Sequence, residues 1–361
     1  MEFDLSDEQA MLQDSVHRFL LDAGGLERTR AFAAKAETRA TDLADGLAQL
    51  GVTGLLIGEE HGGSGLSLLD AALTAEVMGR HVAPTAFIGT AVMAPLALQR
   101  GGSRTQRDQW LPKLAAGSVT AGAAISEFTG GREGASVVRR DGRLTGRALF
   151  PVDFEADVYV VADRDGGLSL VAADAPGLTR TRLITIDVTR PTGELQFDNV
   201  EAEPLEAASP GLISDLIDAG RVMYAADTLG AAQEMLDRSV AYAAERKQFG
   251  RPIGSFQAVK HMCAEMAAAL EPCRALVWYA GYALDALPAE ASLTACHAKA
   301  HLSEVGTMVA RTATEVHGGM GFTDLVGLHY WFKRIGFNRQ MLGGPQRVRE
   351  EAAKLALAQA S

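Results

Sequence analysis

Apolar positions recur every three or four residues from Leu5 to about Gly117, the period of amphipathic helices, and Leu12, Val16 and Phe19 mark one such face. Ser6 followed three residues later by Gln9 predicts a helix start, because the two side chains can satisfy amide donors that a first helical turn leaves unpaired. Gly51 to Gly65 holds six glycines and one short apolar run, Leu55 to Ile57, which breaks the periodicity before Leu68 to Met78 restores it. A loop between helices is expected there. Between about Val119 and Pro204 the period shortens to alternation: Val158, Val160 and Ala162, then Leu183, Thr185 and Asp187, then Leu195 and Phe197. Short strands in hairpins follow from that pattern. From Leu212 onward long helices return, with Val222, Ala226, Leu229, Gln233, Leu236 and Val240 at steps of three and four.

The pattern predicts an α+β chain in three parts. These are an N-terminal α-helical domain over 1–118, a middle β-sandwich or barrel-like domain over 119–207, and a C-terminal helical bundle over 208–361. No internal repeat is visible at the spacing of solenoids. Ala264 to Ala269 and Ala280 to Ala291 carry many small residues and few charges, as expected of helices packed on several sides, including across a subunit boundary. That excess predicts an oligomer.

Composition narrows the function classes. With 361 residues, 47% of them hydrophobic, the chain is too apolar for disorder. Its 34 Lys and Arg against 45 Asp and Glu leave a net charge of −11, which repels phosphate backbones, so nucleic acid is not an expected partner. Cys263, Cys273 and Cys296 are odd in number and lack metal-ligand spacing, which predicts reduced core thiols. No apolar run approaches the ~20 residues of a membrane span, and Met1 to Asp7 is acidic where an export signal would be basic, so a cytoplasmic location is expected.

Two turns could hold a phosphate. Glu245 to Pro252 ends a predicted helix with Arg246, Lys247 and Arg251 beside a glycine and a proline; the cations suit an anion, or simply complement the negative end of the helix dipole. His317 to Phe322 is glycine-rich and could let backbone approach a pyrophosphate, or be a plain helix cap with a tight turn. It lacks the Rossmann spacing, so a nicotinamide site is not expected. No metal is expected either: His61 reads as a surface-loop residue, and the His297 and His301 pair, which has no glutamate between them, as helix-surface histidines.

Taken in order, the motifs resemble the acyl-CoA dehydrogenase family over nearly the whole chain. The carriers are Leu5 to Gln9, Gly54 to Gly65, Trp110 to Gly117, Glu245 to Gly250, Ser255 to His261 and His317 to Phe322. The resemblance implies the fold of that family, FAD held between subunits, and removal of hydrogens α and β to the carbonyl of an acyl-CoA thioester. Electron-transfer flavoprotein or another acceptor would take the electrons. A homodimer or homotetramer is implied, or a hetero-oligomer with a homologous subunit.

Residue by residue, Arg246, Gln248 and Phe249 match positions that contact the FAD of a neighbouring subunit, as do Phe256 and Gln257, while Gly318 and Gly319 match the turn against the pyrophosphate. The expected grip takes its arginine from one copy and its glycine pair from the other. Ser126, in Ile125-Ser126-Glu127, matches a hydroxyl facing the flavin ring. Departures follow: Phe128 replaces a proline, Thr129 to Ser136 lacks the usual Gly-Ser-Asp pattern, no Trp-Ile-Thr is found near Phe150-Pro151-Val152, and Glu315 stands where relatives carry glutamine.

The catalytic base is the largest departure. The usual glutamate lies in a C-terminal turn matched by Leu342 to Pro345, where Gly343 takes its place; a minority position directly before Arg221 is Gly220. Asp227, seven residues along the same predicted helix, is the candidate base if the substrate sits displaced toward it, and Arg221 the residue that would orient a carbonyl or a carboxylate. Tyr224 is nearer to Gly220, but an ordinary phenol is a poor base at neutral pH. Two functions compete: a FAD-dependent acyl-CoA dehydrogenase with an unconventional or partner-supplied base, and a catalytically silent subunit of a hetero-oligomeric one. A different flavin reaction on the same fold is the third.

Overall fold

A computed structural model describes residues 4–130 and 134–360. Its N-terminal part is built from helices α1 (Asp7–Asp22), α2 (Gly25–Ala34), α3 (Thr41–Gln49), α4 (Leu68–Arg80), α5 (Ala94–Gly101) and α6 (Arg104–Ala115), with a π-helical turn at Ile88–Met93 leading into α5. The expected cap is present. Ser6 Oγ accepts from the Gln9 amide and Gln9 Oε1 accepts from the Ser6 amide, and Ser67 with Asp70 and Ser103 with Gln106 repeat the device at α4 and α6. Leu55 to Ile57, buried between short 3₁₀ turns, plugs the glycine-rich loop into the core.

The middle part holds two four-stranded sheets. One has the order β1 (Ala121–Ala124), β4 (Val158–Ala162), β5 (Leu168–Ala172), β8 (Glu203–Pro204); the other has β2 (Val137–Arg140), β3 (Arg143–Leu149), β7 (Thr192–Glu201), β6 (Leu178–Leu183). The alternation in β4 does not separate a wet face from a dry one. All five of its residues are buried, because Val158, Val160 and Ala162 pack on the helical core while Tyr159 and Val161 pack on the second sheet. The segment Leu183, Thr185, Asp187 is also not a strand. Strand β6 stops at Leu183, and Asp187 turns inward to pair with Arg334, a contact that only the tertiary fold supplies.

The C-terminal part is a bundle of α7 (Leu212–Glu245), α8 (Gln257–Ala286) and α9 (Pro288–His317), joined by α10 (Leu328–Gln340) and α11 (Pro345–Ala360). The run Ala280 to Ala291 is not one helix. Pro288 opens α9 because its missing N–H is unneeded there. Helices α7 and α9 run parallel: Ser292 donates to Asp218 at 2.6 Å near their starts, and Tyr242 stacks on His317 at 4.5 Å near their ends. A hairpin of β9 (Lys247–Gln248) and β10 (Arg251–Pro252) joins α7 to α8, its turn made by Phe249 and Gly250 with φ of 52° and 78°. Among the described residues no helix is long and apolar enough to cross a membrane.

Candidate active site

A cavity of about 420 Å³ opens where the first sheet meets the turn between α10 and α11. Ser126, Phe150, Thr185, Phe337, Leu342 and Gly343 are in its wall, and no described residue lining it carries a titratable side chain. Ser126 Oγ accepts from the Leu149 amide at 3.1 Å, which leaves its proton free to donate into the cavity. Glu127 is turned away: its two oxygens accept from Ser136 Oγ and the Val137 amide and so tie down the loop. Residues 131–133, inside the divergent stretch Thr129 to Ser136, lie outside the described residues.

The two positions at which the family resemblance implied a base are both glycines. Gly343 has φ of +103°, a conformation that L side chains rarely adopt. Gly220 is buried on α7, where an added Cβ would meet Leu342 Cδ1 at 2.4 Å. Arg221 does not point a free guanidinium at a substrate. Its Nε donates to the Leu342 carbonyl at 3.0 Å, Nη2 reaches Glu351 at 2.5 Å and Nη1 reaches the Cys296 sulfur at 3.4 Å, so its donors hold the turn that carries Gly343.

Asp227 is corrected from candidate base to the anion of a buried ion network. It is fully buried; Arg190 reaches its Oδ2 at 2.5 Å, Arg334 at 3.1 Å, and Asn338 donates to Oδ1 at 2.6 Å. Burial alone would raise its pKa, but the charges of Arg190 and Arg334 outweigh that and hold the carboxyl below its ordinary range. A carboxylate so stabilised has little tendency to take a proton. Tyr224 is excluded as well, because burial pushes its phenol further up.

The other end of α7 is built differently. Arg246, Gln248 and Phe249 are exposed, Phe249 at 93%, and Phe256 packs edge-on against Phe249 with the Arg251 guanidinium over its ring at 4.1 Å. Gln257, the first residue of α8, is exposed beside them, as are Gly318 and Gly319 at the end of α9, with open space where their Cβ atoms would stand. Because α7 and α9 are parallel and Tyr242 stacks on His317, Arg246 and the glycine pair sit at one end of the same bundle. Within one copy, therefore, the arginine and the glycine pair expected from separate copies lie together. Gly220, beside the Ser126 cavity through Leu342, is 26 residues from Arg246, roughly 39 Å along α7 at about 1.5 Å per residue. One dinucleotide cannot reach from the Ser126 cavity to Arg246 of the same chain. An exposed cation, backbone free of side chains and apolar rings at that end suit the diphosphate of FAD bound across a subunit boundary. Glu315 is exposed one turn from Gly318 and adds a negative charge there.

Elsewhere, His61 lies on its loop with Nε2 3.0 Å from Asp108, and His297 and His301 are exposed on α9. Of the thiols, Cys273 and Cys296 are buried and Cys263 partly so, all three unpaired. The residues that sequence reasoning missed are Arg190, Arg334 and Asn338. An arginine and an asparagine on the inward face of the largely apolar stretch Trp331 to Asn338 were the available signal, since such side chains are buried only when paired.

Two family models match the chain: Acyl-CoA dehydrogenase, N-terminal domain, over residues 6–118, and Acyl-CoA dehydrogenase, C-terminal domain, over residues 211–356. Acyl-CoA dehydrogenase IpdE2 of Mycobacterium tuberculosis is 34% identical over 306 residues, covering 83% of this chain and 81% of that protein. IpdE2 of Mycolicibacterium smegmatis is 32% identical, covering 82% of each. Among solved structures, the "Tcur3481-Tcur3483 steroid ACAD G363A variant" superposes with a TM-score of 0.88 at 32% identity, covering 98% of this chain and 99% of that one. Butyryl-CoA dehydrogenase from Megasphaera elsdenii shares the fold, with a TM-score of 0.89 at 23% identity and coverage of 99% and 100%. The chain therefore belongs to the acyl-CoA dehydrogenase family, FAD-dependent oxidoreductases that act on CH–CH bonds.

Proposed function

We propose that this chain is one half of a two-chain acyl-CoA dehydrogenase in which it grips the FAD diphosphate while a homologous partner supplies the carboxylate that removes the α-proton of a CoA thioester. The observation that carries the reading is the Ser126 cavity, whose described lining has no group able to take a proton. Gly343 and Gly220 support it, since one has a left-handed backbone and the other has Leu342 packed against it, so neither site is shaped for a glutamate. The acids near Arg221 do not rescue it: Glu351 and Asp218 both pair with that arginine, behind the turn. Among relatives, the steroid enzyme whose name joins Tcur3481 and Tcur3483 is consistent with a two-chain assembly.

In this reading Arg246 places a positive charge at the diphosphate, Gln248 and Gln257 donate hydrogen bonds, Phe249 and Phe256 exclude water, and Gly318 with Gly319 admit close backbone approach. Acceptance of the β-hydrogen as hydride is the chemistry that FAD supplies when bound. Reoxidation by electron-transfer flavoprotein or another acceptor, a role in lipid breakdown and a cytoplasmic location belong to the same proposal. The test is anaerobic: the chain is purified alone and co-expressed with a family member that keeps the glutamate, and each is titrated with short, branched, aromatic and steroid-like CoA thioesters. Bleaching of the flavin only in the co-expressed sample is the expected result. Bleaching by the chain alone would instead favour a self-sufficient homo-oligomeric enzyme with an unconventional base.

A further inference from the structure

A second cavity, of about 180 Å³, lies between the start of α3, the segment Pro84 to Ala86, the loops that carry Asp153 and Arg190, and Tyr224 of α7. It backs onto the Ser126 cavity through Phe337 and Met341, which line both, and its own wall includes the ion pair of the partly exposed Arg39 with Asp157. Its floor contains Arg190, only 6% exposed. Nη2 of this residue is paired with Asp227, but Nε and Nη1 have no hydrogen-bond partner in the protein. Tyr224 covers the guanidinium, with its ring 5.7 Å away, and lines the same cavity. Buried donors are almost always paired, so two idle N–H groups on one buried guanidinium point to an acceptor that the chain does not contain.

Charge decides what kind of acceptor. Arg190 and Arg334 are already balanced by Asp227 and Asp187. The rest of the wall carries Asp45, Asp153, Glu155 and Asp157 against Arg39. An anion would enter an acidic cavity and meet no uncompensated cation, whereas an uncharged oxygen accepts from Arg190 at no electrostatic cost. The remaining wall mixes the apolar Pro84, Ala86, Phe337 and Met341 with hydroxyls, among them Thr41, Thr85, Ser118 and Thr120.

We infer that this cavity is a binding site, separate from the Ser126 cavity, for a small uncharged organic molecule bearing a carbonyl or hydroxyl oxygen. That oxygen accepts from Arg190 and, when it is a hydroxyl, donates to or accepts from Tyr224. The inference stands apart from the proposed function, since it requires neither a base nor a thioester.

Saturation-transfer NMR titrations of the purified flavoprotein with cyclohexanone, methylcyclohexane and cyclohexanecarboxylate test it. Three probes of similar shape then differ only in the acceptor. Cyclohexanone binding at least about tenfold more tightly than the other two, with the preference falling severalfold in Tyr224→Phe and lost in Arg190→Gln, is the expected result. Tyr224→Phe keeps the shape of the wall, so the comparison survives if Arg190→Gln fails to fold. Equal binding of cyclohexanone and methylcyclohexane, or binding of neither, would overturn the inference. Preference for the carboxylate would overturn it too, by showing an anion site.

Discussion

The two ends of α7 are made of the same kinds of residue used in opposite ways. Along its first half, Asp218, Arg221 and Asp227 are buried and each is committed to partners within the chain. At its end, Arg246, Lys247 and Gln248 are exposed on a short hairpin, next to Phe249, an apolar ring left almost entirely in solvent. Charges at the first end stabilise the fold, and nothing there is free for chemistry. Those at the second do little for the fold and are available to a ligand or a neighbouring subunit. That contrast is what the proposed two-chain reading rests on: an exposed end open to a ligand, and a cavity at the other whose described lining has no titratable group.

The contrast can be broken most forcefully at the buried end. Asp227→Ala leaves Arg190 and Arg334 facing each other without their shared anion and should cost about 3–5 kcal/mol of unfolding free energy in urea titrations. A loss below ~1 kcal/mol would show that the network is not holding the fold. Next in size is Arg246→Ala. It should leave stability within ~0.5 kcal/mol of the parent yet weaken FAD binding about 10- to 100-fold, the value of a charge-assisted hydrogen bond, as read from flavin released on dilution; a destabilised fold with normal FAD content would reverse the comparison.

Gly343→Ala probes the turn held by Arg221. Placing a side chain at φ of +103° should lower stability by ~1–2 kcal/mol without changing FAD content, measured by thermal unfolding and absorbance together. The smallest effect is one of pH. Burial raises the Asp153 carboxyl to about 6, against the partial opposition of Arg190 and the Gly89 amide. The folded state thus holds this proton more tightly than the unfolded one, and the stabilisation is complete below the unfolded value and lost as pH rises through about 6. Asp153 is only partly covered, so the stability of the parent minus that of Asp153→Asn should fall by on the order of 1 kcal/mol from pH 4 to pH 7. A gap independent of pH would remove Asp153 from the titrating groups.

Much of this was legible in advance, and unevenly so. Ser6 and Gln9 announced the first helix because a capping box is complete within four residues. The turn after α7 was legible from its glycine and proline, whereas the hairpin it forms, with Phe249 at positive φ, was not. Strand β4 was legible from its alternation, although alternation does not tell which face is wet, and both are covered here. Thr185 and Asp187 misled, because Asp187 is drawn inward by Arg334, 147 residues away.

What the amino-acid order determined alone is everything set by neighbours within a turn or two: the helical and extended periods, the caps, the glycine bends, and the lack of glutamate at Gly220 and Gly343. The tertiary structure alone decided that Asp227 is the counter-ion of two arginines, that Arg190 keeps two idle donors, and that Arg246 and Gly318 share one end of one bundle. The physical reason is range. Backbone conformation is chosen by local sterics and hydrogen bonds, whereas the protonation and partners of a buried charge depend on residues that meet it only after the chain has closed.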